Sequence, residues 1–140
     1  MNKLSQNAII GIDVSRDWLD IHILPQGQQQ RLPNTAEGHA ELTNIASEPG
    51  TVVCFEATGG QEWRLWAALD TAGVEARQLP PAQVKAFAAS QGTRAKTDRL
   101  DAELIALFLA FRPAFGRKLP AQKLRLLRVL TTKPSQLVEK

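Results

Sequence analysis

The sequence predicts an α/β fold: a mixed sheet flanked by helices, followed by a basic helical tail. Three observations carry this expectation. Ala8 to Val14 and Trp18 to Leu24 are apolar or alternating runs of strand length, close together at the N-terminal end. Beyond residue 50 the rhythm changes to alternating strand and helix patterns. Asp13 and Glu56 sit where acids are rare, at the edges of apolar strand patterns.

The elements follow in order. Ala8 to Val14 is a nearly continuous apolar run and reads as a buried strand. Arg16-Asp17 makes a turn into Trp18 to Leu24, with Leu19, Ile21 and Ile23 on one side and Trp18, Asp20 and His22 on the other. Gln26-Gly27-Gln28 offers a second turn and Gln29 to Leu32 a short third strand. Asn34-Thr35 starts a helix to about Ala46. Thr51 to Phe55 is β-branched and apolar, as a buried parallel strand requires. Gln61 to Ala72 reads as a helix with Trp63, Trp66 and Leu69 inward, closed by Gly73, and Val74 to Leu79 as another strand. Pro80-Pro81 opens a helix through Val84 and Phe87. Gln91 to Lys96 is a polar, basic loop, and Thr97 or Asp98 caps a helix that Pro113 stops after Phe111. Pro120 starts a last helix whose Leu124, Leu127 and Leu130 form an apolar stripe suited to packing or self-association.

Three meandering strands, a helix, a strand, a helix, a strand and further helices is the order of a ribonuclease H-like fold. In that arrangement the first strand and the next parallel one are neighbours, so Asp13 and Glu56 face each other. Asp98 and Asp101 are spaced i, i+3, which puts both carboxylates on one helical face. Burying an unpaired carboxylate costs several kcal/mol, so acids converging from separate segments call for a cation. A pair of Mg²⁺ ions (or Mn²⁺) about 4 Å apart, held by roughly three or four carboxylates, is the equipment of phosphodiester cleavage.

Composition limits the classes. With 140 residues, 44% hydrophobic and 22% charged, one ordinary core is expected. The division expected is a catalytic domain over residues 1–112 and a basic helical tail over 113–140. Cys54 has no disulfide partner, no apolar run approaches the roughly 20 residues of a membrane span, and no leader pattern is visible. A cytoplasmic protein with no membrane association is expected. Residues 1–111 hold 9 Lys or Arg against 13 Asp or Glu, while residues 112–140 hold 8 against one, a shift from −4 to +7. Arg117, Lys118, Lys123, Arg125 and Arg128, with Arg94 and Lys96 just before the acidic helix, are therefore candidate contacts to nucleic-acid phosphates.

Gly11-Ile12-Asp13-Val14-Ser15, Cys54-Phe55-Glu56-Ala57-Thr58-Gly59 and Lys96-Thr97-Asp98-Arg99-Leu100-Asp101-Ala102 together resemble the acidic signature of insertion-sequence transposases with an N-terminal DEDD, RuvC-like domain, a group that includes the Piv-type DNA invertases. The resemblance spans residues 7 to 111. It implies that Asp13, Glu56, Asp98 and Asp101 are the catalytic, metal-binding acids, that Mg²⁺ or Mn²⁺ is required, and that DNA is the substrate, with a structured guide RNA in related members. Members of that group continue into a domain bearing a serine active in strand cleavage, and no residue here takes that role. The expectation is thus an N-terminal nuclease or recombinase domain, incomplete for recombination, that pairs with other copies.

Each motif also has a plainer explanation. Asp98 and Asp101 suit a helix start, Asp13 could pair with Arg16, and Glu56 could hold the turn at Gly59-Gly60. His22 and His39 are expected at the surface, and Asp17 and Asp20 in solvent. Two other functions compete. One is an inactive remnant that only binds DNA or oligomerises. The other is an actin or sugar-kinase type nucleotide module, whose first phosphate loop Gly11 to Ser15 superficially resembles, although Val14-Ser15 replaces the glycine expected after Asp13. Stabilisation by Mg²⁺ or Mn²⁺ alone, against stabilisation only by ATP with Mg²⁺, separates the first reading from the nucleotide module.

Overall fold

Strand periodicity builds the sheet, and the computed structural model describes it over residues 7–91 and 101–119. The elements are β1 (Ile9–Val14), β2 (Trp18–Leu24), β3 (Gln28–Pro33), α1 (Ala36–Ile45), β4 (Val52–Glu56), α2 (Trp63–Thr71), β5 (Glu75–Leu79), α3 (Pro81–Gln91) and α4 (Ala102–Phe111). Among the described residues the strands form one sheet in the order β3-β2-β1-β4-β5. The meander β1-β2-β3 is antiparallel, and β4 and β5 add to β1 in parallel. The parallel joins need crossovers, which α1 and α2 supply.

Alternation along each strand divides the core in two. Ile10 and Ile12 of β1 and Val53 and Phe55 of β4 point to one face, where Leu42 of α1 and Leu65, Trp66 and Leu69 of α2 cover them. The opposite face buries Cys54 and Leu79 under Val84 and Ala88 of α3 and Leu104, Ile105, Phe108 and Leu109 of α4. Phe55 meets Trp66 edge to face at 5.3 Å, and Phe87 meets Phe108 at 5.6 Å, so an aromatic pair locks helix to neighbour on each side.

Caps fix where two helices start. Thr35 is extended at φ −137° and its hydroxyl accepts from the Gly38 N–H, as expected from Asn34-Thr35. For α4 the expected start moves: the helix begins at Ala102, and its cap is Asp101 rather than Thr97 or Asp98. The Asp101 carboxylate accepts from the Leu104 N–H at 3.0 Å, satisfying a donor the first turn leaves open. Trp63 and Trp66 stack at 5.1 Å, with Trp66 in the core.

Candidate functional site

The register across β1 and β4 sets Ile12 beside Phe55, so the next residue on each strand, Asp13 and Glu56, fall side by side. Partners in a parallel pair share a face, and here it is the face covered by α3 and α4. Burial pushes the Glu56 carboxyl up from its ordinary value, the Asp13 charge pushes it further, and Lys85 of α3 acts in the opposite sense. Across the antiparallel side Asp13 lies opposite Asp20. Arg31 on β3 grips Asp20 through two bonds, of 2.7 and 3.2 Å, and its guanidinium lies 4.8 Å from the Trp18 ring centre. Asp20 is therefore an ion-paired neighbour of the acid site, where solvent alone was expected around it.

Gly11 explains how α4 reaches this edge. A Cβ on Gly11 would stand 2.4 Å from the Ala102 carbonyl oxygen and 2.6 Å from the Ala106 nitrogen, so only glycine lets the helix lie directly on β1. The Cys54 thiol, on the same face, reaches the Ile105 carbonyl at 3.7 Å. The first turn of α4 thus rests beside the strand end carrying Asp13, with Asp101 as the residue that opens it. Asp101 itself is extended at φ −93° and ψ 173°, so the helical-face argument for pairing it with Asp98 does not apply to its backbone. Asp98 lies outside the described residues.

The described residues include no group of three or more His, Cys, Asp or Glu side chains that could hold a metal ion. What they do supply is the pair Asp13 and Glu56: hard oxygen donors on one face, one of them already made harder to ionise by the other. Such a pair suits a hard divalent cation, whose charge offsets both the burial and the Asp13 repulsion that raise the Glu56 carboxyl.

Of the basic candidates, Arg94, Lys96, Lys123, Arg125 and Arg128 lie outside the described residues, as do Leu124, Leu127 and Leu130. Arg117 is held by its own chain. Its backbone forms a two-way bridge with Gln78 at 2.9 and 3.0 Å, its Nε donates to Gln78 Oε1 at 2.8 Å, and its guanidinium lies 6.0 Å from the Trp66 ring centre. Lys118 stays exposed, 3.8 Å from Glu75.

Both histidines are buried, contrary to expectation. His39 is enclosed at the start of α1, where Nε2 meets Asn34 Oδ1 at 2.7 Å, and His22 is covered in mid-sheet with Nδ1 lacking a partner among the described residues. Glu62 is a further surprise: 1% exposed, it bonds Thr58 and, at 2.9 Å, Gln78 Nε2, tying the loop after Glu56 to β5 and through it to Arg117. Spacing gave no hint of this network, because Thr58, Glu62, Gln78 and Arg117 meet only through tertiary packing. Lys85 was equally hidden, since its place near Glu56 depends on how α3 docks.

A family described as "Transposase", DEDD_Tnp_IS110, matches residues 10–140. No curated protein matches the chain. Among solved structures, Thermus thermophilus RuvC is similar in two forms. RuvC in complex with a Holliday junction substrate has a TM-score of 0.54 at 18% identity, covering 81% of this chain and 100% of the other. The T. thermophilus RuvC structure gives 0.52 at 20%, covering 80% and 99%. The ribonuclease H-like fold read from the element order, RuvC-like by the resemblance, is thereby shown.

Proposed function

This chain belongs to the DEDD_Tnp_IS110 transposase family, and from that premise we propose that its RuvC-like fold is a metal-dependent nuclease domain acting on DNA in transposition. The observation that carries the reading is the placement of Asp13 and Glu56 on one face at the ends of adjacent parallel strands. Ligands in open α/β sheets bind outside such strand ends.

Asp13 and Glu56 would hold a divalent ion, Mg²⁺ or Mn²⁺, and Asp98 and Asp101 would complete the set, with room for two ions as the likeness to DEDD nucleases implies. When bound, such ions supply positive charge at the leaving 3′ oxygen and acidify the attacking hydroxyl. The protein's own part is to aim and to insulate. The β1–β4 ladder fixes the two carboxylates, Gly11 lets α4 pack on β1 beside them, and Lys85 favours the ionised form of Glu56 that a cation needs. Arg94, Lys96, Arg117, Lys118, Lys123, Arg125 and Arg128 would meet phosphates. The RuvC relative was solved with a Holliday junction, which supports branched DNA as substrate. A guide RNA, pairing with further copies and a cytoplasmic location complete the proposal. Among the described residues no helix is long and apolar enough to cross a membrane.

The test is calorimetric titration with Mn²⁺ alongside cleavage of a labelled four-way junction. Asp13→Asn and Glu56→Gln should each abolish cleavage and weaken Mn²⁺ binding at least about tenfold, as expected when a ligand or its close partner is lost. Unchanged Mn²⁺ affinity in both would refute the site.

A further inference from the structure

On the face of the sheet away from the acids, α1 and α2 leave a groove of about 720 Å³ between them, within the range of roughly 300–1,000 Å³ typical of small-ligand sites. Its walls include Ala40 from α1, Ala67 and Ala68 from α2 and the α2 C-cap Ala72, with His39 and Thr43 beside them. Its mouth is built from the loops into which the acid-bearing strands run. Arg16 lies just past Asp13 at the end of β1, and Gly60 and Gln61 lie just past Glu56 at the end of β4. Asn34 joins these loops, donating to the Ser15 carbonyl at 2.8 Å and to the Gln61 carbonyl at 3.3 Å. The mouth and the acid pair are thus two outlets of the same strand ends.

The charged side chains lining this groove are basic. Among the described residues Arg16 and Arg64 line it, and no carboxylate does. Both α1 and α2 begin at this end, so their first-turn N–H groups add positive potential. Arg16 bonds Asp17 at 3.0 Å, but both side chains are more than half exposed, and such pairs exchange partners at little cost. His39 contributes no charge, since burial and then the Arg64 charge push its pKa down.

We infer that this groove receives one unpaired nucleotide of the nucleic-acid strand whose neighbouring phosphodiester lies at Asp13 and Glu56. The phosphate sits at the mouth on Arg16 and Arg64, and the base lies between the alanine walls. The assignment rests on the nuclease reading of the acid pair, which supplies the strand.

The experiment uses the full chain, a fluorescent single-stranded DNA oligonucleotide read by anisotropy over a salt series, and Mn²⁺ titration as a separate readout of the acids. Arg64→Gln should weaken oligonucleotide binding several-fold and flatten the salt slope by about one phosphate. Ala68→Leu, which fills the groove without changing charge, should weaken binding and leave the slope alone. Both should keep Mn²⁺ affinity. If Ala68→Leu unfolds, Ala40→Leu on the exposed side of α1 replaces it. Folded variants that bind the oligonucleotide as well as the parent overturn the groove assignment and leave the acid pair untouched. Loss of Mn²⁺ binding by the parent chain itself instead overturns the nuclease reading. A mononucleotide that competes as strongly as the oligonucleotide makes the occupant a free nucleotide, and the strand assignment falls.

Discussion

Glu56 sits beside Asp13 across the β1–β4 ladder, and its carboxyl is harder to ionise as a result of burial first and of the Asp13 charge second. Because the folded-state pKa lies above the ordinary 4.5, the folded form holds the proton more tightly than the unfolded one. That contribution to stability is complete below 4.5 and is lost as pH rises through the raised value. Glu56→Gln should therefore melt higher than the parent at neutral pH without divalent ions, and the advantage should disappear in acid. Thermal melts over a pH series check this; a Glu56→Gln variant that melts lower than the parent at neutral pH contradicts it.

Gly11→Ala should be costly despite adding a single methyl group. The new Cβ would meet backbone atoms of α4 at 2.4 and 2.6 Å, and backbone cannot swing away as a side chain can. Overpacking of this kind costs typically about 1–3 kcal/mol, and displacement of α4 should also weaken Mn²⁺ binding. Urea unfolding with parallel metal titration measures both. A fully stable variant would mean α4 is free to lift.

Asp101 has a structural duty that can be separated from its proposed metal duty. As the α4 cap it can be replaced by Asn, which also accepts from the Leu104 N–H. Asp101→Asn should thus hold stability within a few tenths of a kcal/mol, whereas Asp101→Ala should lose about 1 kcal/mol. If the acid also serves metal, both variants lose cleavage activity alike. Activity retained in Asp101→Asn would confine the residue to capping.

His22 offers a stabilising change. Its Nδ1 is buried without a partner among the described residues, and an unsatisfied buried polar atom costs about 1–3 kcal/mol. Its neighbours across the ladder are Gly11 and Gln29. His22→Leu should raise the melting temperature and leave Mn²⁺ affinity unchanged. A lower melting temperature would show that the imidazole packs better than leucine there.

The fold was legible wherever one residue pattern had one explanation. The apolar run Ala8 to Val14, the alternation from Trp18, and the β-branched Thr51 to Phe55 each allow a single element, and their order matches the sheet. Asp13 and Glu56 were legible for the same reason, since an acid at the edge of an apolar strand stands out. What escaped depended on contacts between distant segments. The alternation of β2 puts His22 on the side opposite the buried Leu19 and Ile21, which usually means solvent, but His22 itself is covered while Trp18 on that side stays exposed. The cap of α4 was misplaced because Thr97, Asp98 and Asp101 are all good capping types, and only the conformation at Asp101 chooses among them. Glu62 reads as a surface acid until Gln78 is brought against it.

The segment after α4 has a consequence for solubility. Among the described residues β5 has a strand neighbour on one side only, and its other side is the kind of parallel edge that recruits strands from other molecules. Arg117 occupies that side through its two backbone bonds to Gln78, while Phe115 packs on one core and Leu119 on the other. Gly116, at φ 93° and with Leu79 and Arg77 too close for a Cβ, lets the chain turn tightly round the rim. The chain thereby blunts the β5 rim of its sheet at Gln78, and a version cut before Gly116 would expose that residue as a docking edge for the next copy.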